Sequence, residues 1–157
     1  MSGGALISIW SGIDDLAPRE LYAMLKLRVD VFVVEQKCPY PEIDGKDLDA
    51  LHLRLMDGEK LAALLRVLPP NEGATVKIGR VVVAPAYRGL RLGERLMKEA
   101  LEFVQDRFPA RPIELGGQSH LQKFYASFGF VAISDEYLED GIPHVDMRMT
   151  PDPGTKK

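Results

Sequence analysis

The chain has 157 residues, 46% of them apolar and 27% charged, with a formal net charge of −3. That length suits one domain around one core, and the mild acidity gives no global attraction to nucleic acid or to an anionic membrane, so any anion site must be local. A single cysteine, Cys38, excludes an intrachain disulfide and a cysteine-based zinc framework, and there is no run of about 18 apolar residues to span a membrane.

Met1 to Ala5 lacks the basic-then-apolar pattern of a secretory signal, and a lone thiol fits a reducing compartment, so the expected location is the cytoplasm. Ala5 to Trp10 is short and apolar-rich and predicts an edge strand. Pro18 to Val29 predicts a helix: proline in the first turn gives up an N–H that has no partner there, and Leu21, Met24, Leu25 and Leu27 or Arg28 follow near helical spacing. Asp30 to Gln36 places Val31, Phe32, Val33 and Val34 on either a second helical turn or an apolar loop wall. Cys38 to Asp49, with Pro39, Pro41, Gly45 and four acidic residues, reads as irregular, exposed structure.

Leu51 to Met56 alternates apolar and polar residues, Asp57-Gly58 supplies a hairpin turn, and Lys60 to Leu68 continues the pattern. Pro69 to Gly73 is a loop, and Val76 to Ala84 is a β-branched strand. Pro85 to Gly89 is a turn before a helix over Leu90 to Phe108, whose Leu92, Leu96, Met97, Ala100, Leu101, Val104 and Phe108 form one apolar stripe. Ile113 to Leu115 is a short strand, and His120 to Phe128 a helix closed by Gly129. Phe130 to Ile133 and Val145 to Met149 are the last strands, joined by Asp135 to Pro143. The tail 151–157 is expected to lack order, leaving about 5–150 ordered. Hairpins together with a βαβ unit predict an α/β (α+β) fold in a single domain over 1–157: a mixed sheet flanked by helices.

The stretch from Ile78 to Leu96 carries the chemistry. A strand, a tight turn (Tyr87-Arg88-Gly89-Leu90-Arg91-Leu92-Gly93) and a long amphipathic helix follow one another. Glycine lets a ligand approach the backbone, the first helical N–H groups have no intrahelical partner, and the dipole favours an anion, so this is a seat for phosphate with Arg88 and Arg91 beside it. On these residues alone, an ordinary solvated strand-to-helix turn stands beside that reading. A P-loop is excluded because no Gly-Lys-Ser/Thr follows. A dinucleotide fingerprint is excluded by the two glycines and the missing acidic residue. A nucleotide hydrolase also lacks its Mg²⁺-binding Ser/Thr and strand-end Asp.

Arg88 to Gly93 resembles the Q/R-x-x-G-x-G/A signature of the GNAT acetyltransferase superfamily, with Arg91 where the signature has glycine. Phe124-Tyr125 followed by Phe128-Gly129-Phe130 is similar to the superfamily's later motif. Arg28 with Val31 to Gln36 and Pro39-Tyr40, Gly116 to Gln122, and Glu139 to His144 resemble its ElaA-like branch, so the resemblance runs from about Leu21 to Met149. It implies a mostly antiparallel central sheet of about six to seven strands. It also implies N-acetyl transfer from acetyl-CoA, as co-substrate, to a primary amine of a small molecule by direct attack. A non-catalytic acyl-CoA-binding or sensing module of the same fold is the alternative.

The resemblance further implies that backbone groups of Val81, Val82 and Val83 meet the pantetheine arm. N–H groups of Arg88, Gly89, Leu90, Arg91, Leu92, Gly93 and Glu94 would hold the pyrophosphate, with Phe124 and Gln118 close to the cofactor. The thioester would lie between the strands at Val81–Val83 and Ile113–Leu115. Tyr125 is the candidate general acid for the departing thiolate, since a phenol with a pKa of about 10 keeps its proton at neutral pH; its other role is helix packing. No base is explicit. His120 and His144 are candidates because imidazole titrates near working pH, each also reading as a structural histidine satisfied by a backbone partner, with Glu35, Asp44, Asp140 or a water chain as alternatives.

The three histidines match no short metal-ligand spacing, so no metal is expected. Cys38 sits between Lys37 and Pro39 without a nearby histidine and is not read as a nucleophile. The acidic residues of Glu42 to Asp49, with Asp135-Glu136 and Glu139-Asp140, read as a solvated face, or as a lining that favours a cationic amine. No partner among nucleic acids or membranes is expected, and the superfamily implies a homodimer.

Overall fold

Eight strands form one sheet in the order β1-β2-β3-β4-β5-β8-β6, with β7 also paired to β8. They are β1 (Ile7–Ser11), β2 (Leu51–Asp57), β3 (Lys60–Leu68), β4 (Val76–Val83), β5 (Ile113–Gln118), β6 (Val131–Ala132), β7 (Tyr137–Glu139) and β8 (Ile142–Met149). Three α-helices accompany them: α1 (Pro18–Arg28), α2 (Leu92–Arg107) and α3 (Gln122–Ala126). This computed structural model describes residues 6–70 and 75–150. Ala5, part of the loop before β4 and the tail from Pro151 lie outside them.

The two faces of the sheet are covered by different elements. Leu92, Leu96, Met97, Ala100 and Val104 of α2 are buried against Leu55, Leu65, Val76, Ile78, Leu115 and Met147 in the main core. Burying a side chain of this size stabilises by about 1.5–3 kcal/mol, so the helical stripe fixes α2 to that face. On the other face, Met24 of α1 and Val31 close over Leu64 and Val82. Glu20 accepts from the Ala17 N–H at 2.8 Å and caps the start of α1.

After Arg28 the helix widens over Val29–Glu35 into a π-helical turn. The Gln36 and Cys38 N–H groups reach back five residues to Val31 and Val33, at 3.2 and 3.0 Å. The segment from Asp30 to Gln36 is therefore helical, with Val31 inward.

All neighbouring strands are antiparallel except β4 and β5, which pair in parallel at only two positions, Val76↔Ile113 and Lys77↔Glu114. Beyond them β4 bulges. Its register against β3 shifts between Leu64 and Arg66, and Arg80 adopts φ 53°. The strands then part, leaving an opening between Gly79–Val83 and Leu115–Gln118.

Three segments differ from the sequence expectation. Asp135 to Pro143 contains β7, joined to β8 by Asp140 and Gly141 at φ 53° and 82°, the paired positive values of a tight hairpin turn. The irregular segment Cys38 to Asp49 is not simply exposed: Cys38, Glu42 and Asp47 are buried, because three arginines draw its carboxylates inward. The helix expected over His120 to Phe128 is shorter, with α3 ending where the Gly129 N–H reaches Ala126 O and the Phe130 N–H reaches Tyr125 O.

Candidate active site

At the bend between β4 and α2 the backbone donors stay unpaired. The Tyr87 and Arg88 N–H groups turn back to Ala84 and Pro85, and the Arg95 N–H begins the helical ladder by reaching Arg91 O. Between them, the N–H groups of Gly89, Leu90, Arg91, Leu92, Gly93 and Glu94 meet no acceptor among the described residues, and no side chain caps the helix. Gly89 at φ 86° and Arg91 at φ 60° create the turn. Tyr87 anchors it from inside by donating to Asp57 Oδ2 at 2.6 Å. The flanking cations are already matched: Arg88 holds Glu35 through two bonds, and Arg91 lies 3.5 Å from Glu94. The positive potential at the bend is therefore that of the backbone and the α2 dipole.

The opening between β4 and β5 continues into a cavity of about 390 Å³. Of the residues singled out by sequence, Val81, Gln118, Tyr125 and His144 line it. Val82 faces the opposite core with Met24, Val83 packs at the edge of the main core, and Phe124 is half-buried beside Gly93. His120 is exposed and is not part of the lining.

Tyr125 is buried and stacks edge-on against Phe124 and Phe130. Its ring lies so close to Gly117 that a Cβ there would stand 2.9 Å from Cδ2 and Cε2. Burial alone pushes its phenol up to about 12. His144 directs Nδ1 at Ile142 O, 2.8 Å away. A carbonyl only accepts, so Nδ1 carries the hydrogen and the neutral ring keeps its lone pair on Nε2. Tyr137 stacks on this imidazole and donates to Asp146 Oδ1 at 2.5 Å. Burial first, then Asp146, pushes the Tyr137 phenol up.

The opposite wall is braced by a charge network. Arg28 bonds Glu42 Oε2 and Asp47 Oδ1, each at 2.8 Å. Arg66 bonds Asp44 Oδ2 at 2.7 Å and Asp47 Oδ1 at 3.0 Å, while Arg80 bonds Glu42 Oε2 at 2.7 Å and lies over the Tyr40 ring. Cys38 Sγ, also buried, donates to Asp140 O at 3.1 Å and ties this loop to the β7–β8 turn.

The acetyltransferase (GNAT) domain family matches residues 22–151. The chain belongs to the GNAT acetyltransferase family. Protein ElaA of Escherichia coli (strain K12) is 46% identical to this GNAT domain over 136 residues, which are 85% of this chain and 89% of that protein. The crystal structure of an acyl-CoA N-acyltransferase from Pseudomonas aeruginosa matches it with a TM-score of 0.89 at 46% identity, over 93% of this chain and all of that one (100%). Escherichia coli ElaA matches with a TM-score of 0.87 at 42% identity, over 92% and 99% of the two chains. The mixed, mostly antiparallel fold expected from the sequence is the GNAT fold.

Several lining residues of the GNAT domain escaped the sequence reading. They are Tyr137, Asp146, Lys77 and Arg80; for Asp146 the signal was present, because alternation in β8 turns Val145 and Met147 inward and His144 and Asp146 the other way. Among the described residues no group of three or more His, Cys, Asp or Glu is placed to hold a metal, and no helix is long and apolar enough to cross a membrane.

Proposed function

We propose that this GNAT domain is an N-acetyltransferase that moves the acetyl group of acetyl-CoA to a primary amine of a small molecule by direct attack. The observation that carries the reading is the course of β4: it lines the cavity holding Tyr125 and His144 through Gly79 to Val81 and runs on into the bend whose N–H groups from Gly89 to Glu94 are unpaired among the described residues. The acyl-CoA N-acyltransferase named among its relatives supports the same chemistry.

In this reading the bend holds the pyrophosphate, backbone groups of Val81 to Val83 hold the pantetheine, and the thioester lies where β4 and β5 part. Phe124 and Gln118 flank the cofactor. The neutral amine bonds to the acetyl carbon, and the C–S bond breaks with its electron pair leaving on sulfur. Tyr125 protonates that sulfur, and His144 Nε2 accepts the proton that nitrogen loses; solvent returns it to Tyr125. His144 is preferred to His120 as the base because it lines the cavity with a free lone pair. A cavity of about 390 Å³ suits a small acceptor.

The test is a thermal shift with acetyl-CoA beside an assay of CoA release over a panel of amines. Saturation at 100 times the dissociation constant stabilises by about 2.7 kcal/mol. No shift sinks the reading, and a shift with no turnover of any amine favours a binding module. Sedimentation tests the homodimer that the superfamily implies, and fractionation tests the cytoplasmic location.

A further inference from the structure

The charged groups around the cavity are sorted by sign. The loop before β2, with β3 and β4, contributes Lys46, Arg66, Lys77 and Arg80, whereas β5 and the β7–β8 hairpin contribute Glu114, Glu139, Asp140 and Asp146. The loop's own Glu42, Asp44 and Asp47 do not line the cavity. They are turned onto Arg28, Arg66 and Arg80, so the wall that its sequence marks as acidic presents Lys46 instead.

That basic wall keeps unused donors. Arg80 commits Nε and Nη2 to Glu42 and Asp44, which leaves Nη1 without an acceptor among the described residues. Its backbone stands at φ 53° within β4, a conformation unfavourable for a side-chain-bearing residue and retained where the surroundings hold it. Lys77 makes no ion pair among the described residues, since Glu114, its register partner, is taken by Arg148.

We propose that the acceptor is an α-amino acid, its carboxylate on Lys77 and Arg80 and its amine toward the wall that carries His144 and Asp146. This rests on the acetyltransferase reading and deepens it: a cationic polyamine would meet only the acidic wall and would leave the basic one facing its positive charge. A carboxylate completes the donors on one side while the amine is directed to the free Nε2 on the other.

The experiment measures CoA release with matched sets of one amino acid, its amide and its decarboxylated amine, alongside the thermal shift with acetyl-CoA. The free acid should be preferred by about tenfold or more in kcat/KM, because the amide and the amine leave Lys77 and the Arg80 Nη1 without an anionic acceptor. Lys77→Glu, at an exposed site without a protein partner, should raise KM for the acid and abolish the preference. Amide and amine turned over as well as the acid, or none of the three turned over while acetyl-CoA still shifts the melt, would overturn this inference alone. Absence of the shift would remove the acetyltransferase reading as well.

Discussion

Arg88 and Glu35 grip each other through two parallel hydrogen bonds, Nη1 to Oε2 and Nη2 to Oε1, both 2.9 Å long. The pair joins the bend before α2 to the π-helical segment whose Phe32 and neighbouring Gln36 line the cavity. The Arg88 bonds hold the Glu35 carboxyl below its ordinary range, so it is charged at neutral pH, and under the proposed function it would compete with the pyrophosphate for the same guanidinium. Exposed pairs of this kind contribute little to stability. Glu35→Gln should therefore leave the melting temperature nearly unchanged while tightening CoA severalfold, an effect that fades with added salt. Calorimetric titration reads it. Weaker CoA binding by the variant would mean that Glu35 holds Arg88 in place for the phosphate rather than competing for it.

Arg91 occupies a left-handed backbone position, φ 60° and ψ 31°, as the residue that starts α2. Its side chain is 85% exposed, so packing does not enforce the choice of residue. Glycine there avoids a penalty of about 1–2 kcal/mol and loses some of that gain through a more flexible unfolded chain. Arg91→Gly should raise stability by about 0.5–1 kcal/mol in denaturant melts and leave CoA affinity close to wild type, since the backbone N–H remains. A loss of stability would show that the Arg91–Glu94 contact matters more than the strain.

These two arginines also show how far the sequence carries. The bend, its glycines and the stripe of α2 are local patterns, and the observed elements follow them within a few residues. What escaped were partnerships across long separations. Nothing near Glu42 or Asp47 in sequence announces Arg28, Arg66 or Arg80, so base composition alone reads the segment as solvated. The β7–β8 hairpin was within reach, because Asp140-Gly141 is a turn signal as plain as Asp57-Gly58. Val82 could be named but not oriented, because which face it takes depends on a bulge in β4 that no local residue type declares.

Tyr125 makes no side-chain hydrogen bond to the described residues, and burial is the only cause of its shift. Removing the hydroxyl should therefore cost little stability. Tyr125→Phe should melt close to wild type yet lower kcat by about 10²-fold or more with little change in KM for acetyl-CoA. With the phenol at about 12, the alkaline limb due to this residue should not appear below about pH 11. The folded state holds this proton more tightly than the unfolded chain, so stability should decline as pH rises from about 10 to 12. Unchanged turnover in the variant would take Tyr125 out of the reaction.

Gly117→Ala tests the same side chain from beneath. The added methyl meets the Tyr125 ring at 2.9 Å and Leu115 Cδ1 at 3.3 Å, in a place where neither neighbour is a loose chain end. It should destabilise by about 1–3 kcal/mol and displace the phenol, lowering kcat more than it raises KM. Gly58→Ala, at a turn with open space around its Cβ, is the control that perturbs stability without touching kcat.

The arginine–carboxylate network sets the response to acid. Asp44 is held well below the carboxylate range, foremost by its hydrogen bond from Arg66. Burial would raise Asp47, but bonds and charge from Arg28 and Arg66 outweigh it and hold it low. Both contributions are complete above about pH 4, the unfolded value, and vanish as pH falls through the folded one. His52 responds earlier. It is buried, its Nε2–H donates to Asp47 O at 3.1 Å, and its Nδ1 has no partner, so burial above all depresses its pKa. The unfolded chain takes up that proton first, and stability should begin to fall below about pH 6.5. Melting followed by circular dichroism should thus show two stages, one below about pH 6.5 and a steeper one below about pH 4. His52→Gln should remove only the first. Asp47→Asn strips charge from two buried arginines and should lower stability at pH 7 by about 3–5 kcal/mol. A wild-type melting temperature level from pH 7 to 5 would mean that His52 charges without penalty and that water reaches its Nδ1.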